Sequence, residues 1–284
     1  MSGDASSGVE SPEDPPPPAA ALAASNHHFK LKVWLTWLAL LSLLAWGCHG
    51  LHLDLGFVNE KLPFLLGMRL SPDGFIQGAA LTLFVTAVSM LCALLVGVLT
   101  ALGRLSHNPV AFALATFYAS LFRGTPLLVQ VLIIYLALPQ VGIVLGALSS
   151  GLIALSLNYG AYLAETIRSG MMSVPVGQRE AARALGLPGW VITWKVTAPQ
   201  ALRLIIPPAG AQFISMLKDS SLVSIMGLWE LNFLAQSYAR ATYHYMEMLV
   251  TAALIYWLMS IVFEIVQFRL ERRFGRGIDH TVRH

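Results

Sequence analysis

Six stretches of this chain, at about 33–51, 75–102, 109–138, 143–166, 204–228 and 248–268, are apolar almost throughout and dominated by Leu, Ala, Met and Phe. Each is near or above the roughly 20 residues that a helix needs to cross a bilayer. Backbone polar groups in lipid must be satisfied within the structure that spans it, and runs this uniformly apolar read as helices rather than barrel strands. The pattern therefore predicts an all-α, polytopic membrane protein with six transmembrane helices. The segment 1–28, which includes SPEDPPPPAAALAAS, is too polar and proline-rich to bury a core and reads as a disordered tail. The first helix is expected within 29–56. Lys30 and Lys32 ahead of a short apolar stretch ending in Ala45, Trp46, Gly47 and Cys48 also admit a signal peptide. An uncleaved helix is the reading adopted, and either way the chain from Phe57 starts outside.

Composition agrees with a membrane protein: 56% hydrophobic and 12% charged residues, with a mean hydropathy of +0.66. That is about half the charge of an ordinary soluble domain. Cys48 and Cys92 lie in separate apolar runs, with no CxxC and no clustered Cys/His ligand spacing, which argues against a disulfide framework and a metal site. The net charge of +3 comes without a basic block interleaved with aromatics, so no nucleic-acid partner is expected.

The basic residues instead set the topology. With the amino terminus cytoplasmic, the inner segments hold 13 Lys and Arg, from Lys30 to Arg283, and the outer ones hold only Lys61, Arg69 and Arg240. This asymmetry fits the positive-inside rule and puts both termini, including the tail 275–284, in the cytoplasm. Arg123 and Lys218 remain inside apolar runs. Ala93, Gly97 and Ala101, at four-residue spacing, predict close approach of a neighbouring backbone.

Between the fourth and fifth runs, the cytoplasmic loop 168–203 is longer than a helix turn requires, and its centre reads SVPVGQREAARALGLPGW. Pro175 suits the start of a helix, 178–185 is rich in helix formers, and Gly186 with Pro188 ends it. Ala181, Ala182 and Leu185 give this short helix a small apolar face, and Arg179, Glu180 and Arg183 leave the rest charged. A helix of this kind, held outside the bilayer on flexible shoulders, suits docking into a cleft.

EAARALG at 180–186, followed by Val196, Ala198 and Pro199, resembles the EAA loop of ABC importer permeases: Glu-Ala-Ala, three residues, Gly, nine residues, Ile, one residue, Leu-Pro. Val196 and Ala198 replace the usual Ile and Leu, the second weakening local packing. FRGTPLLVQ at 122–130, NYGAYLAETIRSG at 158–170 and PQALRLIIPPAGAQFISMLKDSSLVS at 199–224 look like the polar amino acid branch of that family. The resemblance covers 74–274, a core of five helices, and makes the first helix an addition. It implies an inner-membrane permease subunit of a bacterial importer for polar amino acids. Glu180, Ala181, Ala182 and Gly186 would couple it to a separate ATPase dimer, and a second permease subunit, identical or related, would complete the channel. A periplasmic or surface binding protein would deliver substrate. ATP and magnesium would belong to the ATPase, since this chain has no GxxxxGK[ST] phosphate loop and needs no cofactor of its own.

Counted along their helices, Arg123 and Lys218 each lie about 21 Å in from the cytoplasmic side, at about 1.5 Å per residue. A pair between Arg123 and Asp219 is therefore feasible. Such a pair can match the carboxylate and ammonium of an amino acid, or can satisfy itself and the carbonyls freed at Gly124, Thr125 and Pro126. Asn158, Tyr159 and Tyr162 lie on the cytoplasmic half of the fourth run, where they can line a substrate path or simply pack. Glu165 and Arg168, three residues apart, read as a helix-end ion pair. A stand-alone secondary transporter or channel also explains buried charge, but has no need of an EAA helix. A membrane hydrolase lacks its GxSxG or HExxH here.

Overall fold

A computed structural model describes residues 19–49, 54–71 and 74–274. Among them there is no strand, only an isolated bridge between Gly78 and Glu230. The first helix, α1 (Ala19–His49), forms a unit by itself, with its described side chains from Phe29 onward exposed. It starts within the segment expected to be a disordered tail: the alanine-rich stretch before Asn26 has high helix propensity and extends the apolar helix backwards. The rest of that tail, and the tail at 275–284, lie outside the described residues.

The second unit begins with α2 (Leu55–Leu66), which Asp54 caps by accepting a hydrogen bond from the Phe57 amide at 3.0 Å. Next come α3 (Gly78–Leu105), α4 (Pro109–Gly124) and α5 (Leu127–Leu132), the last continuing through a π turn and a 3-10 turn to Val141. Then follow α6 (Ala147–Met172), α7 (Val176–Ala184) and the single turn α8 (Gly189–Val191). A π turn leads into α9 (Ala198–Asp219), whose 3-10 extension ends at Met226, before α10 (Leu231–Thr242) and α11 (Tyr245–Phe274).

The predicted third run is bent by 104° between Gly124 and Leu127. Pro126 has no N–H and disfavours helix in Thr125, so the helix stops there. The freed carbonyls are satisfied by side chains, as lipid demands. The Gln130 amide donates to the carbonyls of Phe122 and Thr125 at 2.9 and 3.1 Å, and the Asn158 amide donates to Phe122 and to Gln130 Oε1 at 3.1 Å each.

Among the described residues, three helices are long and apolar enough to cross a membrane: 29–47 of α1, α3, and 245–273 of α11, with the bent pair as a fourth. Helices α6 and α9 have the length but more polar side chains, including Asn158, Glu165, Arg168, Gln212 and Asp219. Both also outrun the predicted apolar runs at the basic end, which shortens the loop between them to 173–197.

Helices α3 and α6 form the centre and run parallel. Ser156 Oγ donates to the Ser89 carbonyl at 3.3 Å, and farther along a Cβ on Gly97 would meet Leu163 Cβ at 2.9 Å and the Gly160 carbonyl at 3.2 Å. Ala93 and Ala101 are fully buried on the same stripe, so its partner is α6 of this chain. Helix α9 runs antiparallel to α6, since Gly170 meets Ile205 and Tyr159 meets Asp219. Helix α11 flanks α9, with Phe263 on Phe213 at 4.8 Å. The main core is built from Val85, Ala93, Leu155, Leu163, Met216 and their neighbours. A second core joins α2, α10 and α11 at the opposite end.

Candidate functional site

At the basic end of α3 and α6 one carboxylate gathers three guanidinium groups. Glu165 on α6 pairs with Arg168 at 2.5 Å, with Arg104 of α3, and with Arg123 in the last turn of α4 at 3.6 Å. The Arg168 partner lies one turn along, as i, i+3 spacing dictates. Arg104 arrives because α3 and α6 run in parallel, and Arg123 because α4 ends at the break. Arg123 also stacks over the Tyr162 ring, 5.5 Å from its centroid. The feasible pair between Arg123 and Asp219 does not form: Asp219 instead accepts a hydrogen bond from the Tyr159 hydroxyl at 2.7 Å. The depth count starts the fifth run at 204, whereas α9 begins at Ala198, and Arg123 lies beside Tyr162 and Glu165 while Asp219 lies beside Tyr159. The carbonyls at the break are served by Gln130 and Asn158, not by the charged pair.

Above this cluster, the break opens onto a cavity of about 500 Å³. Arg123, Asn158, Tyr159, Tyr162 and Asp219 line it, with Gln212 and Ser215 from α9. Asn158 is only 5% exposed and committed to the break, whereas the Arg123 side chain is 41% exposed. Lys218 is exposed and is not part of this wall. The cavity offers a cation, an anion, phenol groups and amides, which is the chemistry that a small zwitterion needs. Gln130, Gln212 and Arg104 were not singled out from the sequence. A Gln four residues after a proline break is a signal that could have found the first.

The loop helix α7 spans nine residues and packs against the π turn that precedes α9. It ends where Gly186 takes φ +73°, while the Leu187 amide donates back to the Ala182 carbonyl at 3.2 Å. That left-handed position favours glycine. Ala182 is buried against its own chain, whereas Glu180, Ala181 and Leu185 are exposed, Leu185 by 80%. The expected apolar face is therefore divided, with Ala182 turned inwards. Arg179, expected on the charged outer face, folds back so that its Nη2 donates to the carbonyls of Met171 and Val174, both at 3.3 Å. The first shoulder of the loop is thus tied down, with Val174 only 2% exposed.

Residues 93–276 match the family described as the inner membrane component of binding-protein-dependent transport systems. The chain belongs to this family. Among curated relatives, it is 34% identical to the arginine transport system permease protein ArtQ of Bacillus subtilis, over 78% of this chain and 98% of that protein. It is 35% identical to the putative glutamine transport system permease protein GlnP of Rickettsia conorii, over 70% and 91%. A solved amino acid ABC transporter with histidines superposes with a TM-score of 0.70 at 36% identity, covering 77% of this chain and 97% of that one.

Proposed function

We propose that this chain is the permease subunit of an ATP-binding-cassette importer for polar amino acids, whose ATP hydrolysis is carried out by a separate cytoplasmic subunit dimer. ATP and magnesium belong to that dimer. A second permease, identical or related, and a periplasmic or surface binding protein complete the assembly. Both termini and α7 face the cytoplasm of a bacterial cell, and the Glu230 end faces outwards, by the positive-inside asymmetry. The observation that carries the reading is α7: Glu180, Ala181 and Leu185 stand exposed on a short helix closed at Gly186. Such a helix transmits ATPase closure by fitting a cleft, with Glu180 for a basic group there.

In the translocation path, Arg123 takes the substrate carboxylate and Asp219 its ammonium. Tyr159 and Tyr162 orient these two charges, and Asn158 holds the break open. The relatives named for arginine and glutamine support amino acids as the substrate class.

The test is ATP-driven uptake of labelled amino acids into proteoliposomes holding the permease, ATPase and binding protein, comparing wild type with Gly186→Asp. Uptake by the wild type and uncoupled ATP hydrolysis in an assembled variant are expected. Uptake without any ATPase, indifferent to the substitution, would identify a secondary carrier instead.

A further inference from the structure

A second cavity, of about 510 Å³, lies at the Glu230 end of the molecule, between α10 and the 3-10 extension of α9. Asn232, Gln236 and Arg240 follow one another at four-residue spacing, so they share one face of α10, and all three line it with Ser221 and Ser224. The Asn232 amide donates to the Ser221 carbonyl at 3.3 Å and to Ser224 Oγ at 3.2 Å, which fixes α10 against the 3-10 segment. Arg240 is exposed, and among the described residues its one hydrogen bond runs from Nε–H to the Gln236 carbonyl at 3.2 Å. Among the described residues it belongs to no ion pair.

Among the described residues, no acidic side chain lines this cavity. Glu230, close by in sequence, is fully buried, and its oxygens accept from the amides of Asn232 and Phe233 and from the Tyr256 hydroxyl, at 2.8 to 2.9 Å. Its charge is committed to capping α10. The cavity thus presents one exposed guanidinium with amide and hydroxyl groups beside it and, among the described residues, no counter-charge.

Its position relative to the Arg123 cavity is the second observation. Leu127 lines the Arg123 cavity and Leu128 lines this one, while Asp219 lines the first and Ser221 the second. The two spaces are therefore lined by neighbouring residues at the start of α5 and the end of α9, one guanidinium in each, and among the described residues an anion lines only the inner one.

We infer that the Arg240 cavity is an outer subsite that receives the carboxylate of an incoming amino acid before Arg123 does, and that it selects neutral and acidic side chains over basic ones. The inference rests on the importer reading. An amino acid entering carboxylate first leaves its ammonium in water until Asp219 is reached, and a second cation on the side chain meets only Arg240.

The test is retention of labelled glutamate, glutamine and arginine by the purified permease–ATPase complex without a binding protein, so that the permease alone discriminates. Glutamate and glutamine are expected to be retained over arginine. Arg240→Gln should weaken glutamate retention roughly three- to tenfold, the range for one charged hydrogen bond at a partly open site, and Arg240→Lys should restore most of it. Arginine held as well as glutamate, retention of none of the three, or an Arg240→Gln complex that holds glutamate as before would overturn the inference. Failure of the importer reading looks different: no ATPase subunit co-purifies with the wild-type chain.

Discussion

Replacing Glu165 by Gln removes the single carboxylate that three guanidinium groups share and leaves its shape almost unchanged. Arg168 sits at 2.5 Å, Arg123 at 3.6 Å, and Arg104 contacts the same oxygen as Arg123. Breaking a fully buried pair by removing one partner costs about 3–5 kcal/mol, because the remaining charge is stranded. Here the side chains are 18–41% exposed, so water relieves part of the strain and the expected loss falls to about 2 kcal/mol. For a chain of this length that corresponds to a drop of roughly 4–8 °C in the unfolding midpoint. Thermal unfolding of the permease in lipid nanodiscs, followed by intrinsic tryptophan fluorescence, measures it. Adding Arg104→Gln to the Glu165→Gln protein should recover part of the loss, since it removes one of the mutually repelling cations. A Glu165→Gln midpoint within about 1 °C of wild type, or a double variant less stable than the single one, would refute the account of the cluster.

Gly97→Ala should lower stability by about 1–3 kcal/mol, because its Cβ would meet the Leu163 Cβ and the Gly160 carbonyl on a close-packed helix; Gly124→Ala, with nothing within 4 Å of its Cβ, is the control in the same melting assay. Glu230→Ala strips α10 of its cap and should cost about 3 kcal/mol, from two amides and a hydroxyl left without their acceptor. Hydrogen exchange at Asn232 and Phe233 should then accelerate, while exchange in the centre of α3 stays slow. Gln130→Leu leaves the Phe122 and Thr125 carbonyls with fewer donors at the break, a loss of about 1–3 kcal/mol, and should be visible as lower thermal stability and reduced uptake in proteoliposomes.

The EAARALG segment and the glycine that ends its helix are local features, so the helix α7 and its terminator could be placed by reading along the chain. Glu165 with Arg168 is likewise one helical turn. Harder to read were α2 and α10, short helices that owe their place to packing on α11 and α3, and Glu230, whose acceptors' partners come from three separate elements.

By itself, then, the order of residues determined the helical class, the apolar runs, the loop helix and the family, because helix formation in lipid depends on local composition and the family pattern on local spacing. Only the tertiary structure decided which helix fills the Gly97 stripe, which carboxylate holds Arg123, and what the break at Pro126 asks of Gln130 and Asn158. Those outcomes depend on the relative direction and bend of helices far apart in sequence. Arg123 and Asp219, which counting puts at one depth, line one cavity but hold different partners, Glu165 and Tyr159.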